Sequence, residues 1–269
     1  IGRYDTASTE TALRNGIAGR FLLVGPAGST AKLKVQKLDG SIRELSLVRD
    51  PQKMQAFAPQ DKGEVVRILP GNLGYVDLTR LGVPEVDAMF EKLADTRAII
   101  FDMRGYPQGT AWAIAPRINT RKARVGAQFR RSQVSAFSDE EGDSGFYFAQ
   151  PLPPLPEGEK LYTGPTVMLI DDRAISQSEH SGLFYEAANG TKFIGTATAG
   201  ANGDVTRFQV PGGIWIGFTG HDVRHADGRQ LQRIGLVPDI EVSPTRAGLK
   251  AGRDEVLERA VEYLEGVLK

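Results

Sequence analysis

The stretch 165–183 constrains the fold of this chain more than any other. Pro165-Thr166-Val167-Met168-Leu169-Ile170 is a short apolar run rich in β-branched residues, and beyond the polar turn Asp171-Asp172-Arg173 the residues Leu183, Phe184, Ala187 and Ala188 recur with helical spacing. The pattern predicts a buried strand, a turn and a helix. Ser176 and Glu179 form an S-x-x-E capping box, which puts Ser176 at or beside the helix N-cap, where unpaired N–H groups and the positive end of the helix dipole gather. Two roles fit a serine there. As a cap it satisfies the N–H of Glu179. As a nucleophile it offers its hydroxyl at the carboxyl end of the strand, with the N–H of Gln177 aimed at a developing oxyanion.

Composition narrows the classes. A chain of 269 residues with 41% hydrophobic residues can bury a substantial core. The 33 lysines and arginines balance 33 aspartates and glutamates, so there is no field that would draw nucleic acid or an anionic membrane. No apolar run reaches the roughly 18 residues of a membrane span, and no secretory core is visible. The chain starts at Ile1 without an initiator methionine, and it is expected to be a processed or truncated piece of a longer polypeptide whose upstream part held a targeting segment. Cysteine is absent, which excludes disulfides and thiolate metal sites but leaves the compartment open.

In chain order, residues 8–15 read as a short helix, and residues 31–38 and 42–48 as two alternating strands joined tightly at Asp39-Gly40. This small β-rich unit ends at Arg49-Asp50-Pro51. A domain boundary is expected there, with residues 51–63 as a linker. Strand and helix then alternate: strands at 65–69 and 73–78, a helix from Pro84 with Val86, Met89, Phe90 and Leu93 on one face, a strand at 98–101, and a helix over 110–119. Such alternation implies a mixed or parallel sheet covered by helices, with ligands at the carboxyl ends of its strands. The loop 102–109 occupies one of those ends. Residues 120–162 read as an irregular surface excursion carrying the acidic Asp139-Glu140-Glu141 and a proline run. Strands follow at 192–196, 205–210 and 214–218, and the stretch 235–240 closes the sheet. A last helix with Val256, Leu257, Ala260, Val261, Leu264 and Leu268 on one stripe docks on the core.

Four separated segments, in this order, resemble the C-terminal processing (tail-specific) serine peptidase family, including its tricorn-core-like relatives. They are Asp102-x-Arg104-x-x-Pro107-x-Gly109, Ile175-Ser176-Gln177-Ser178-Glu179, Gly195-Thr196-x-Thr198-x-Gly200 and Gly235-x-x-Pro238-Asp239. The resemblance covers residues 64–269, and residues 11–48 look like the second half of a PDZ domain. It implies an α/β (α+β) fold in which a crotonase/Clp-protease-like serine peptidase core, residues 64–269, follows a partial PDZ-like domain, residues 1–50. It also implies that Ser176 is the nucleophile. The oxyanion donors would be the backbone N–H of Gln177 and of Gln108 or Gly109, the family's Gly-Gly standing here as Gln108-Gly109.

The departures concern the base. The processing branch carries a lysine in a Gly-Lys-Gly turn, and the matching turn here is Gly200-Ala201-Asn202-Gly203. The tricorn-like branch uses a histidine upstream of the PDZ segment and a glutamate near the Gly-x-x-Pro-Asp strand, where Gln232 stands instead. The resemblance therefore places the base in a segment upstream of this chain. Locally, His180 lies one helical turn beyond Ser176, on the side of Leu183, Phe184 and Ala187, and is either a possible base or a packed histidine. His221 and His225 read as surface residues, with no further ligand at metal spacing. Lys192 and Lys250 have no motif around them.

The expected activity is cleavage of polypeptides through an acyl-enzyme on Ser176, with no metal or organic cofactor. The expected partner is a polypeptide substrate rather than nucleic acid, and the resemblance favours an extracytoplasmic (periplasmic or secreted) location. Two alternatives stand beside it: a catalytically impaired peptide-binding protein on the same fold, and a hydrolase of small esters or amides.

Overall fold

The computed structural model describes residues 7–21, 23–50, 63–132 and 145–269. The linker expected at 51–63 lies outside the described residues except for Gly63, and so does the acidic run 139–141.

At the start, α1 (Glu10–Gly16) is capped by the Thr9 hydroxyl, which accepts the Ala12 N–H at 3.0 Å. An antiparallel hairpin of β1 (Thr30–Gln36) and β2 (Ile42–Val48) follows. Both strands are largely exposed on both faces, and Ala31 is their buried residue. Arg246 anchors the hairpin by donating to the main-chain carbonyls of Gln36 and Lys37.

The core is a six-stranded sheet: β3 (Val66–Leu69), β4 (Leu73–Asp77), β5 (Ala98–Asp102), β8 (Thr166–Ile170), β9 (Lys192–Gly195) and β13 (Ile240–Glu241), in the spatial order β13-β9-β8-β5-β4-β3. All neighbours are parallel except the edge pair β3 and β4. Strands in such a sheet are buried on both faces, which is why they read as continuous apolar runs. The two-residue alternation of the strand then sorts those runs. Ala98, Ile100, Val167 and Leu169 join one hydrophobic cluster with Val256, Ala260 and Leu264 of the last helix, Glu255–Val267. Ile99, Phe101, Met168 and Ile170 join another with the helix Val86–Leu93 (α2) and with Leu183, Phe184, Tyr185 and Ala188. Gly195 ends β9 where a Cβ would stand 2.0 Å from the Ile170 carbonyl oxygen, so no other residue fits that close approach.

Residues 120–162 are not irregular throughout. They contain β6 (Val125–Ser132) and β7 (Gly145–Pro151), which pair with each other, while β12 (Asp222–His225) adds to the outer edge of β6. Twelve residues of chain, 133–144, separate the two strands, so no tight-turn signal in the sequence marks their pairing. The expected helix over 110–119 is a four-residue α turn, α3 (Ala111–Ile114), tightening into a 3₁₀ segment at Ala115–Ile118, with Pro116 inside it. The hairpin of β10 (Val205–Val210) and β11 (Ile214–Thr219) forms as expected.

Ile100 is fully buried in the sheet centre, whereas Ile214 is 60% exposed. Ile100→Ala should cost about 2–5 kcal/mol, read as a lowered urea midpoint at unchanged m-value. Ile214→Thr should stay within about 0.5 kcal/mol. Equal losses at the two positions would contradict the central placement of β5.

Candidate active site

Strand β8 delivers the chain to Asp171, whose carboxylate accepts the Arg173 N–H at 2.9 Å and its guanidinium at 2.8 and 2.6 Å, folding the turn back on itself. The turn ends at Ser176, which has φ +55° and ψ −113°. That combination is sparsely populated by non-glycine residues and costs about 1–3 kcal/mol, so surrounding contacts must enforce it. They do: the Ser176 N–H faces the Ala201 carbonyl at 3.0 Å and a Glu179 carboxylate oxygen at 3.2 Å. Helix α4 (Gln177–Asn189) starts at the next residue. Glu179 completes its half of the capping box by accepting the Ser176 N–H, but the Ser176 backbone is not the extended one of an N-cap.

Glu179 holds the centre. It is fully buried, and besides the Ser176 N–H it accepts the Thr198 hydroxyl at 2.5 Å, the Gly200 N–H at 2.6 Å and the Ala201 N–H at 3.0 Å. Burial pushes its carboxyl above the usual range, and the four donors oppose that rise. The turn that lacks the expected lysine is therefore built onto the carboxylate through its main chain. The methyl group of Ala201 offers no base. The Thr9 hydroxyl, 190 residues away, donates to Ala199 O at 2.7 Å and ties the start of the chain to the same turn.

The loop after β5 forms the opposite wall. Asp102 accepts the Arg104 guanidinium at 2.9 and 2.6 Å and the Tyr75 hydroxyl at 2.8 Å, and Arg104 also bridges to Asp254 at 2.7 Å. Burial would raise the Asp102 carboxyl, but the guanidinium outweighs it and holds the carboxyl below its usual range. Further along the loop, Gly105 O accepts the hydroxyl of Ser178, joining loop to helix at 2.7 Å. Gly109 has φ +79°, and a Cβ there would lie 4.0 Å from Gln177 Nε2. Gln108 pairs with Gly82 in a β-bridge and sends its side-chain amide to Thr79 O at 3.2 Å. Gln177 occupies the first helical position, where the N–H has no intrahelical acceptor. The loop thus meets the start of α4 at two points, Gly105 with Ser178 and Gly109 with the Gln177 side chain.

His180 is not poised as a base. Asn202 Nδ2 donates to its Nδ1 at 3.2 Å, so the ring proton sits on Nε2, which donates to Gln150 Oε1 at 2.6 Å. The ring packs against Trp112, Phe129 and Phe184, and burial lowers its pKa to about 4. It is a neutral, packed histidine with both nitrogens in use. His225, expected on the surface, is 5% exposed, because β12 carries it inward to Glu186 Oε2 at 2.5 Å. His221 is likewise drawn in, packing edge-on to Phe129 with its Nδ1 3.4 Å from the Asp204 carboxylate. Lys192 pairs with Asp239 at 2.6 Å. Gln232 does reach the turn, accepting the Asn202 N–H at 3.1 Å, but as a neutral amide. No group of three or more His, Asp or Glu side chains among the described residues is placed to hold a metal ion. Sequence reading had named Thr198 and Asn202 within their turns but not as partners of Glu179 and His180, and had missed Gln150, since nothing in their spacing points to partners so far along the chain.

Sequence comparison with curated proteins gives no match. Among solved structures the fold is similar to that of a proposed peptidase from Parabacteroides merdae, at 17% identity and TM-score 0.61 over 94% of this chain and 82% of that one. It is similar to mature CPAF complexed with lactacystin, at 15% identity and TM-score 0.59 over 91% and 68% of the two chains. A proposed S41 protease from Bacteroides fragilis aligns at 16% identity and TM-score 0.53 over 88% and 66%. The model of peptidase family S41 matches residues 72–242, more than half of the chain and all of the segments described above, whereas the residues read as PDZ-like lie outside it. The chain belongs to peptidase family S41, and its activity is that of a serine-type peptidase.

Proposed function

We propose that Ser176 is the nucleophile and that the chain cleaves polypeptides through an acyl-enzyme on its hydroxyl. The observation that carries this reading is a half-buried serine held at a strained φ of +55° at the head of α4, next to Gln177, whose side chain the Gly109 loop approaches. The Ser176 oxygen adds to the peptide carbonyl carbon and its proton passes to a base. The tetrahedral oxyanion is held by the N–H groups of Gln177 and of Gln108 or Gly109. As the C–N bond breaks, the departing amine takes the proton, and water then hydrolyses the ester to release the second product.

The base lies outside the described residues in this reading, since Ala201 has no proton acceptor and the His180 nitrogens are both engaged. The family resemblance points to a histidine upstream of the PDZ-like segment. Residues 1–50 are carried as that partial domain and 64–269 as the peptidase core. The resemblance also favours an extracytoplasmic location, to be checked by cell fractionation. No helix of the described residues is long and apolar enough to cross a membrane.

In the full-length protein, which supplies the base, mass spectrometry after treatment with a serine-directed phosphonate should place the adduct on Ser176, and Ser176→Ala should abolish both labelling and peptidase activity. An adduct on Ser178 or Ser181 would overturn the assignment. Gly109→Val forces a β-branched side chain into a φ of +79° and shifts the loop donor. It should lose about 10²–10³ in kcat, roughly 3–4 kcal/mol, with an unchanged circular dichroism spectrum, whereas Gln177→Ala should keep most of its kcat. The reverse pattern would move the oxyanion contact to the Gln177 side-chain amide.

His180 provides a pH test. Its folded pKa is depressed to about 4, so between that value and the ordinary pKa near 6.5 the unfolded chain binds a proton that the folded chain does not. His180 therefore weakens folding as pH falls through that window. His180→Gln should flatten the acid-side loss of stability, measured by thermal melts from pH 7 to 4, and leave the pH profile of kcat/KM in place. Disappearance of a kcat/KM limb in that variant would make His180 the base.

A further inference from the structure

A cavity of about 410 Å³ opens on the side of the sheet covered by α6 (Glu255–Val267), a size ordinary for a small-molecule site. Ser176, Gln177 and Glu179 do not line it. Its walls hold four arginines, and three have carboxylate partners. Arg104 lies between Asp102 and Asp254, Arg173 is bonded to Asp171, and Arg253 to Glu258. Arg67 is the exception. Its guanidinium stacks 4.2 Å from the centroid of the Tyr75 ring, it makes no hydrogen bond or ion pair with the described residues, and its Nε is buried without an acceptor. The nearby Glu64 is bonded to Lys92 instead, at 2.9 Å. Buried donors in folded proteins nearly always have an acceptor, and the residue that carries this one is part of the cavity wall.

We propose that the cavity binds an organic carboxylate, with Arg67 as the principal contact and Tyr75 as the surface that holds the guanidinium flat. The planar guanidinium fork matches a carboxylate in two parallel hydrogen bonds. Asp171, Asp254 and Glu255 on the same walls disfavour a doubly charged phosphate, while a singly charged carboxylate meets less repulsion. Ile170, Val242, Leu249 and Val256 give its carbon skeleton an apolar lining. The chemistry is shared by two sources, a small organic acid and the free carboxyl terminus of a polypeptide.

Isothermal titration of the Ser176→Ala protein at fixed ionic strength, with butyrate, with a tripeptide acid and with the same tripeptide as its C-terminal amide, tests the site. Saturable carboxylate binding is expected, weakened about tenfold or more by Arg67→Gln and unaffected by Arg259→Gln on the exposed face of α6. Arg67→Lys keeps the charge without the fork, and should bind more weakly than the parent protein; it serves as the reading if Arg67→Gln does not fold. Tighter binding of butyrate assigns the site to a small acid, and an advantage of tripeptide acid over amide that vanishes without Arg67 assigns it to a chain end. Absence of saturable binding, or binding indifferent to both Arg67 substitutions, overturns the proposal.

Discussion

A single buried carboxylate organises the site. Glu179 gathers three main-chain N–H groups and one hydroxyl from segments that the sequence separates by about twenty residues, and in doing so sets the Ser176 turn against the 198–201 turn. A carboxylate in a dry interior is costly unless its lone pairs are matched by donors. Here all four contacts come from donors, so the charge and the geometry stabilise each other. Removing one segment leaves the others facing an unsatisfied charge, which makes the arrangement cooperative.

That rigidity is what a residue at φ +55° requires. Ser176 cannot relax into an ordinary cap, because its N–H is held by Ala201 and Glu179 and because Ser178 ties the helix start to Gly105. Behind it, the sheet is packed on both faces, with α4 on one side and α6 on the other. The Asp102, Arg104 and Asp254 network joins the end of β5 to the N-cap of α6, so the loop carrying Gly109 and the helix that buries the far face are fixed by the same ion pairs. Strain at the serine is thus balanced by contacts on every side.

The histidines illustrate how burial decides chemistry. Spacing alone put His180 within one helical turn of Ser176 and on an apolar face, and either role was compatible with that. Desolvation, three aromatic neighbours and two amide partners make it neutral and occupied. For His225 the outcome is the opposite of its turn-rich surroundings, since the pairing of the four-residue strand β12, of which it is the last residue, with β6 suffices to bring it against Glu186.

What was legible in the sequence is what short-range periodicity and turn chemistry encode. The apolar runs of β4, β5 and β8, the stripe of α6, the strand, turn and helix around Ser176, and the motif order that carries the family resemblance are all local patterns, and local sterics and hydrophobic alternation suffice to specify them. Tertiary structure alone decided the rest. It paired β6 with β7 although twelve residues of chain separate them, drew β12 and its histidine inward, gave Glu179 partners far along the chain, and held Ser176 in a strained backbone conformation. The physical reason is the same in each case: these features depend on which distant donors, acceptors and strand edges meet once the core has closed, and no spacing along the chain records that.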